Sequence, residues 1–360
     1  MERAQRIADA SRPHFRKILI VRTDRIGDVL LTLPMATAVR SNDPSAEISM
    51  MVRSYTREIV EGCADVKNVV LVDDAGRLKP IWSTVREIRR GNYDIAFLVF
   101  PRLRLAMVLL LAGVKVRVGS GYRWYSFLLN RRVYEHRKSG NKHEAEYNLT
   151  LLEAAGYAVP QQPRPKFRVD ERNVSYVHNL RRELRIGPGD RLAILHPGSG
   201  GSARDWPPGR FSELATRLNQ AGVRVAVTGS AEESALVSRV AQGAGVVPLA
   251  GKLTLGQLAA FIAAADLFVS NSTGPLHIAA AVGTPVICFY PPSRHLGVGR
   301  WGPLTDRKFE FVPDPRLCPR CRGGECEADE CMDQIEVGNV AAEALKLLGM
   351  QNKVEAARNG

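Results

Sequence analysis

Short apolar runs alternate with amphipathic segments along most of the chain. Runs of four to six mainly aliphatic residues, bounded by polar turns, are typical of buried strands, whereas apolar positions three and four residues apart indicate helices. In the first half the predicted strands are Lys17–Arg22, Glu47–Val52, Val69–Val72, Asp94–Val99 and Val114–Gly119, with helices such as Pro80–Arg90 between them. This alternation predicts right-handed βαβ units on a parallel sheet.

The same alternation restarts after a proline-rich polar stretch, Pro160 to Pro165, which we interpret as the end of a first domain. The predicted strands of the second half are Leu192–Leu195, Val223–Val227, Val246–Leu249, Asp266–Val269 and Pro285–Phe289. We therefore predict an α/β protein with two Rossmann-like domains, residues 1–165 and 166–337, followed by a closing helix and tail over 338–360.

A polar turn between a predicted strand and a predicted helix gives the first candidate binding site. The run Leu267–Val269 suits a strand, Ser272, Thr273 and Gly274 suit a helix cap, and Pro275 is tolerated at a helix start. Such a helix N-terminus at the carboxyl edge of a sheet can bind phosphate, and His277 on the first turn could add a hydrogen-bond donor. The alternative interpretation is an ordinary capped helix that binds nothing.

A second turn, Asp24 to Asp28, follows the first predicted strand. Gly27 allows close approach of a ligand to the backbone, and Asp28 is a candidate general base. The competing interpretation makes Asp28 the N-cap of the following helix.

Two further turns lie in the second half. His196 to Ser202 is rich in small residues whose N–H groups could surround an anion, and it includes Ser199; Arg204 follows and could neutralise a diphosphate or pair with Asp205. After the next strand, Glu232 or Glu233 could accept hydrogen bonds from a ribose or cap a helix.

The charge is strongly basic, with 50 Lys and Arg against 37 Asp and Glu and a net charge of +13. Anionic partners are therefore expected, and nucleic acid, an acidic membrane surface and a phosphorylated substrate are the candidates. One dense basic region comprises Arg117, Arg123, Arg131, Arg132, Arg137, Lys138 and Lys142. The polar N-terminus, which has no apolar signal core, predicts a cytoplasmic protein, and the apolar run Leu105–Val114 is too short to span a membrane and predicts a buried helix.

Four of the six cysteines cluster with C-x2-C-x4-C-x4-C spacing, at Cys318, Cys321, Cys326 and Cys331. A structural zinc site, reducible disulfides and free thiols all fit this spacing. The remaining two, Cys63 and Cys288, lie in apolar surroundings typical of buried free thiols.

Taken together, Arg22 to Asp28, His196–Gly198 with Arg204–Pro207, and Ser270 to Ala281 resemble the glycosyltransferase family 9 enzymes, the ADP-heptose:lipopolysaccharide heptosyltransferases and their relatives. The resemblance extends from Lys17 to about Leu348. It implies the GT-B fold, in which two Rossmann-like domains face each other across a cleft, with the acceptor on the first and the nucleotide sugar on the second.

The resemblance also implies residue roles. Asp28 matches the family's catalytic carboxylate, and Arg204 stands where the family has a lysine before Trp-Pro. Glu232 falls near the acidic residue associated with the ribose, and Thr273, Gly274 and His277 match the phosphate-binding helix start. Ser272 departs from the family pattern, which has an aspartate there, and this departure concerns the identity of the donor sugar.

The implied reaction is an inverting transfer in which Asp28 takes the acceptor proton while Arg204 and the helix start at Gly274 stabilise the leaving diphosphate. Because the sequence has no Asp-x-Asp pair, we expect metal-independent chemistry that requires no cofactor. The expected partners are a nucleotide sugar, an anionic glycolipid acceptor and the inner face of the cytoplasmic membrane, contacted peripherally, but no nucleic acid. The alternatives are a GT-B sugar-nucleotide epimerase and a non-catalytic protein that binds nucleotide sugars or glycans.

Overall fold

The structure, a computed structural model, describes residues 15–201, 204–243, 245–317 and 329–350. The described chain divides into two compact units. The first comprises residues 15–137 and 144–166, and the second comprises 138–143 together with the described residues from 167 onward.

The first unit is built on a six-stranded parallel sheet. Its strands are β1 (Lys17–Val21), β2 (Glu47–Val52), β3 (Asn68–Leu71), β6 (Ile95–Leu98), β7 (Val116–Ser120) and β8 (Arg131–Val133). A small antiparallel hairpin is formed by β4 (Asp73–Asp74) and β5 (Arg77–Leu78). The helices are α1 (Ile26–Leu30), α2 (Leu33–Asn42), α3 (Arg57–Glu61), α4 (Ile81–Gly91), α5 (Leu103–Leu111) and α6 (Glu144–Glu153).

The second unit has its own six-stranded parallel sheet. Its strands are β9 (Leu192–His196), β10 (Arg224–Val227), β11 (Val246–Pro248), β12 (Leu267–Asn271), β13 (Val286–Phe289) and β14 (Lys308–Phe311). Its helices are α7 (Glu171–Glu183), α8 (Pro208–Gln220), α9 (Ser234–Val240), α10 (Leu255–Ala263), α11 (Gly274–Val282), α12 (Val298–Trp301) and α13 (Val337–Leu347).

Both sheets follow one winding rule. The strand orders are β3-β2-β1-β6-β7-β8 and β11-β10-β9-β12-β13-β14. In each sheet the first three strands follow one another toward one edge. The chain then returns to the other side of the first strand, and the last three strands continue toward the opposite edge. In such sheets ligands bind outside the carboxyl ends of the strands where the order reverses. That point lies beyond β1 and β6 in the first unit and beyond β9 and β12 in the second.

Both central strands are apolar because helices cover both of their faces. Residues 18 to 21 of β1 and residues 192 to 195 of β9 are fully buried. In the second unit Trp206 is also fully buried, stacks on Phe289 with a centroid distance of 4.3 Å, and donates its indole N–H to the carbonyl of Ile335 at 3.0 Å. The second core therefore ties the start of α8 to the sheet and to the segment before α13.

The structure departs from the predicted elements at the edges. Besides the short hairpin strands β4 and β5, two strands of the large sheets were missed, β8 and β14. Their sequences, Arg-Arg-Val and Lys-Phe-Glu-Phe, carry the charges and partial exposure of edge strands rather than an apolar run. The prediction of a buried helix over residues 105 to 114 is only half right. Helix α5 buries Leu105, Ala106, Val108 and Leu109 but leaves Met107, Leu110 and Leu111 more than a third exposed, since only one of its faces lies on the sheet.

Candidate functional site

Asp28 lies beyond the carboxyl end of β1, at the reversal point of the first sheet. It is inside α1 rather than before it, because the N-cap residue is Arg25, and so the interpretation of Asp28 as a helix cap is wrong. Gly27 is buried next to it. Its carboxylate is directed to Arg22, the first residue after β1, whose Nη2 donates to Asp28 Oδ1.

Arg22 is the centre of a buried charge network. Its side chain is 4% exposed, its Nε donates to Asp24 Oδ1 at 2.7 Å, and its Nη1 reaches Glu144 Oε1 at 3.3 Å and Asn148 Oδ1 at 3.2 Å. Three carboxylates therefore share one guanidinium. Although burial alone would lower the pKa of Arg22, the charges of Asp28, Asp24 and Glu144 raise it above its ordinary value.

Helix α6 supplies the far side of this network. Glu144, whose side chain is 2% exposed, also accepts from Arg137 Nη1 at 2.6 Å. One turn later, Asn148 donates through Nδ2 to the carbonyl of Leu31 at 3.0 Å, next to the end of α1. The two side chains are four residues apart and therefore lie on one face of the helix. This face fixes both the guanidinium and the helix that carries Asp28.

The network makes Asp28 a weaker acid than usual. Desolvation by burial raises the pKa of Asp28 to about 6, and the negative charges of Asp24 and Glu144 add to this rise while Arg22 opposes it. A carboxyl group with this pKa is ionised at neutral pH and is still a better proton acceptor than an ordinary aspartate. It also remains 14% exposed, so that a substrate hydroxyl can reach it.

In the second unit, the turns after β9 and β12 lie side by side. The two strands are paired, with Ser270 opposite His196, so the residues that follow them share the carboxyl edge of the sheet. Asn271, fully buried at the end of β12, joins the turns: its Nδ2 donates to the carbonyl of Pro197 at 2.6 Å, and its Oδ1 accepts from the N–H of Trp206 at 2.8 Å. Sequence reasoning did not select this residue.

The first of these turns carries Ser199 and Arg204. Ser199 is buried, and Arg204 is half-buried, two residues before the fully buried Trp206. A Cβ at Gly198 would lie 1.9 Å from Glu233 Oε1, so a larger residue there would displace that carboxylate. Glu233 is fixed from the other side as well, because the N–H of Ser230 donates to its Oε2 at 2.8 Å.

Of the two glutamates after β10, Glu233 is therefore the one beside the turn, whereas Glu232 is exposed. The resemblance to the family, from which Glu232 was predicted to lie near the ribose, fits Glu233 equally well. No local signal in the sequence distinguishes them, because the difference arises from the packing of Glu233 against the backbone of another turn.

The second turn leads into α11 as predicted. Ser272, Thr273 and Gly274 are half-buried, Thr273 is the N-cap residue without a side-chain cap, and Pro275 lies in the first turn. Ser272 hydrogen-bonds with the hydroxyl of Tyr290, which itself donates to the carbonyl of Trp301 at 2.5 Å. Within the described residues, the side chain of Thr273 therefore leaves the N–H groups at the start of α11 uncapped.

His277 adds a buried polar atom next to these N–H groups. It is 4% exposed, and within the described residues its Nδ1 has no hydrogen-bond partner. Burial, with a further contribution from His143, lowers the pKa of His277 to about 3, so the ring is neutral at physiological pH. Buried polar atoms usually have a hydrogen-bond partner in proteins, so this atom is a candidate ligand contact.

The chemical state of the cysteine cluster, whether zinc site, disulfides or free thiols, stays a prediction. Cys318, Cys321 and Cys326 lie outside the described residues, and Cys331 is buried in the core of the second unit. Within the described part of the chain no group of three His, Cys, Asp or Glu side chains is arranged to hold a metal ion. Cys63 and Cys288 are buried free thiols, as expected.

Comparison with known proteins identifies the family. The sequence model of glycosyltransferase family 9 (heptosyltransferase) matches residues 81–331. This chain belongs to glycosyltransferase family 9. The predicted family and enzyme class are thereby confirmed.

Relatives and solved structures agree with this assignment. A putative glycosyltransferase of Haemophilus influenzae is 28% identical over 338 residues, 91% of this chain and 95% of the relative. Lipopolysaccharide heptosyltransferase 3 of Escherichia coli is 27% identical over 301 residues, 79% of this chain and 84% of the relative.

The fold comparison gives the same result. A family 9 glycosyltransferase from Veillonella parvula superposes with a TM-score of 0.81 at 20% identity, covering 92% of this chain and 97% of that one. The E. coli ADP-heptose lipopolysaccharide heptosyltransferase II gives a TM-score of 0.76 at 22% identity, covering 93% and 99%. The prediction of a GT-B fold with two Rossmann-like domains is confirmed. No helix in the described residues of this family 9 enzyme is long and apolar enough to cross a membrane.

Proposed function

We propose that this family 9 glycosyltransferase is an inverting, metal-independent enzyme that transfers heptose or a related sugar to a lipopolysaccharide core or another surface glycan. The expected donor is an ADP-linked sugar. The donor and acceptor classes are supported by the relatives, among them lipopolysaccharide heptosyltransferase 3, and by the neighbour described as acting with ADP-heptose. The proposal places the reaction in the cytoplasm, where nucleotide sugars are available, at the inner face of the cytoplasmic membrane.

The observation that carries the proposed chemistry is the Asp28 carboxylate, held by Arg22 at the carboxyl edge of the sheet with a pKa of about 6. In the proposed step Asp28 accepts the proton of the acceptor hydroxyl. The hydroxyl oxygen attacks the anomeric carbon, and the bond to the nucleoside diphosphate breaks. Attack from the face opposite the leaving group inverts the anomeric configuration.

The second unit would bind the leaving diphosphate. The N–H groups at the start of α11, which the side chain of Thr273 does not cap, and the positive end of the helix dipole favour negative charge. The neutral His277 can donate one hydrogen bond through Nδ1 in the appropriate tautomer. Arg204 would add a permanent positive charge. These groups supply electrostatic stabilisation without a metal ion, which is the basis for proposing metal-independent transfer.

The proposed base is tested by two matched variants. Asp24 and Asp28 both contact Arg22 and are 15% and 14% exposed, so Asp24→Asn is a control for the loss of one carboxylate from the same network. We expect Asp28→Asn to lower kcat about 10²- to 10⁴-fold, the usual contribution of a general base, with a much smaller loss for Asp24→Asn. Equal losses, or full activity of Asp28→Asn, would refute the assignment and leave a non-catalytic binding protein as the better description.

The donor and the reaction type are tested directly. A thermal-shift panel of nucleoside diphosphates and nucleotide sugars should show the largest increase in melting temperature with ADP or an ADP-sugar. Transfer should continue in the presence of a chelator, and NMR of the product should show the inverted anomer. Loss of transfer with chelator and recovery with Mg²⁺ or Mn²⁺ would contradict metal independence, and an epimerised nucleotide sugar formed without acceptor would identify an epimerase.

A further inference from the structure

The ten-residue connection between β7 and β8 presents aromatic side chains to solvent at the edge of the first unit. Trp124 is 75% exposed, the highest value among the exposed large apolar side chains of the described residues, and Phe127 in the same connection is 63% exposed. Tyr134, directly after β8, is 59% exposed. Isolated exposed aromatics are common, but several within one short segment indicate an interaction site.

This segment has a defined conformation. The N–H of Ser126 donates to the carbonyl of Arg123 at 2.8 Å, and the N–H of Gly121 donates to the carbonyl of Val133 at 2.8 Å. Tyr122 packs edge-on against Tyr134 with a centroid distance of 5.4 Å. The aromatic side chains are therefore held in place by the fold while they remain exposed.

The stretch of chain that carries these side chains is strongly basic, with Asp94 just before it and Glu135 directly after it. Residues 95 to 134 contain no Asp or Glu and seven basic residues, Arg102, Arg104, Lys115, Arg117, Arg123, Arg131 and Arg132. This ninth of the chain carries a charge of +7 out of a net charge of +13. Arg123 is exposed within the loop, and Arg132 is exposed on β8, two residues before Tyr134.

We define the aromatic-basic face by Tyr122, Arg123, Trp124, Phe127, Arg132 and Tyr134. Helix α5, with its exposed Met107, Leu110 and Leu111, packs against the 3-10 turn Ser126–Leu128 that carries Phe127. The face thus combines indole and phenol rings, which favour the membrane interface, with arginines that favour anionic headgroups and with adjacent aliphatic side chains.

We propose that the aromatic-basic face binds the surface of an anionic phospholipid bilayer. Trp124 and Phe127 would enter the headgroup region, and Arg123 and Arg132 would contact lipid phosphates. The proposal rests on the proposed function in one respect: an enzyme that acts on a glycolipid acceptor must reach the membrane in which the acceptor lies. A nucleic acid would also be attracted by the charge, but the aliphatic side chains next to the face fit acyl chains better than phosphates.

Vesicle cosedimentation with the full chain tests the face. Vesicles of phosphatidylcholine with about 30% phosphatidylglycerol should bind the protein, and vesicles of phosphatidylcholine alone should bind it at least tenfold more weakly. Arg123→Gln with Arg132→Gln should weaken binding about thirtyfold, since each arginine near an anionic surface contributes about a fivefold factor. Trp124→Ala with Phe127→Ala should weaken it by a similar factor.

Matched controls lie in the second unit. Arg182 and Arg239 are exposed arginines on α7 and α9, and changing both to Gln removes the same charge. Val174 and Tyr176 on α7 are 53% and 39% exposed, and changing both to Ala removes exposed apolar surface outside the face, although less of it. Both control pairs should bind anionic vesicles within about twofold of the unaltered protein. In addition, tryptophan emission should shift to shorter wavelength on vesicle binding, and Trp124→Phe should abolish the shift.

Three results would overturn the proposal: equal binding to neutral vesicles, equal loss of binding in the face and control variants, or displacement from vesicles by an equimolar single-stranded oligonucleotide. Transfer to a water-soluble acceptor separates this proposal from the proposed function. The face variants should keep normal kcat/KM with such an acceptor. If the unaltered protein shows no transfer but its vesicle binding depends on the face, the proposed function is rejected and the proposal that the face binds a membrane still stands.

Discussion

Replacing Asp28 with asparagine is expected to stabilise the protein, relative to the unaltered chain, more at pH 8 than at pH 5. The pKa of Asp28 is raised from 3.8 to about 6 in the folded state. A carboxyl whose folded pKa exceeds its unfolded pKa favours folding when it is protonated. This stabilisation is fully present below about pH 3.8 and is lost as the pH rises through about 6.

The size of the effect follows from the two pKa values. The full difference between 3.8 and about 6 corresponds to about 3 kcal/mol between the acidic and alkaline limits. Between pH 5 and pH 8 the recoverable part is about 1 kcal/mol, because pH 5 still lies between the two pKa values. Asparagine resembles the protonated carboxyl and does not titrate, so the variant lacks this pH dependence.

The measurement is a comparison of unfolding free energies from urea titrations of both proteins at pH 5 and pH 8. Most other titrating groups are common to the two proteins, and their contributions cancel in the difference. Stability and activity should move in opposite directions at pH 8, because the variant loses the proposed base while it gains stability. A difference between the two proteins that is equal at both pH values, or larger at pH 5, would refute the account of the buried charge network.

Four further outcomes follow from the described contacts. Glu144→Gln removes a negative charge that raises the pKa of Asp28, so the ascending limb of the pH–rate profile, expected near pH 6, should move down by about one pH unit; an unchanged midpoint would argue against Asp28 as the titrating base. Asn271→Ala leaves the two buried backbone groups that it pairs unsatisfied, and chemical denaturation should show a loss of about 2–4 kcal/mol. His277→Phe keeps a planar ring, slightly larger than imidazole, but removes the Nδ1 atom, so calorimetry should show at least tenfold weaker nucleoside diphosphate binding, and unchanged affinity would exclude that contact. Arg204→Lys should retain most of the transfer rate, whereas Arg204→Ala should lower it about 10²-fold, and equal rates would remove Arg204 from the mechanism.

The sequence predicts much of the fold because the strands near the middle of each sheet are covered on both faces. The runs around residues 18 to 21 and 192 to 195 are apolar for that reason and are recognisable in the sequence. Edge strands such as β8 lack this constraint, and their charged sequences resemble loops. The polar turns after the strands were also predictable, since small residues there recur in the same local pattern.

The partners of the site residues were not predictable in the same way. Arg22 was read as the start of a motif, but its contact with Glu144 joins residues 122 positions apart. Asn271 was within the selected stretch, yet nothing local indicates that its amide pairs with two backbone groups of the connection after β9. Such contacts depend on tertiary packing, for which a single sequence contains no spacing rule.

The position of Asn271 has a consequence for how this enzyme could diverge. Its side chain braces two loops from the end of a strand, while Ser272, the next residue, is half-buried and hydrogen-bonds with Tyr290. Asn271 thus maintains the geometry of the loops, whereas its neighbour Ser272 supplies the polar group presented there. A substitution at position 272 would therefore change the side chain presented beside the helix start without removing the two hydrogen bonds of Asn271, so this position can vary while the loop beside it is kept.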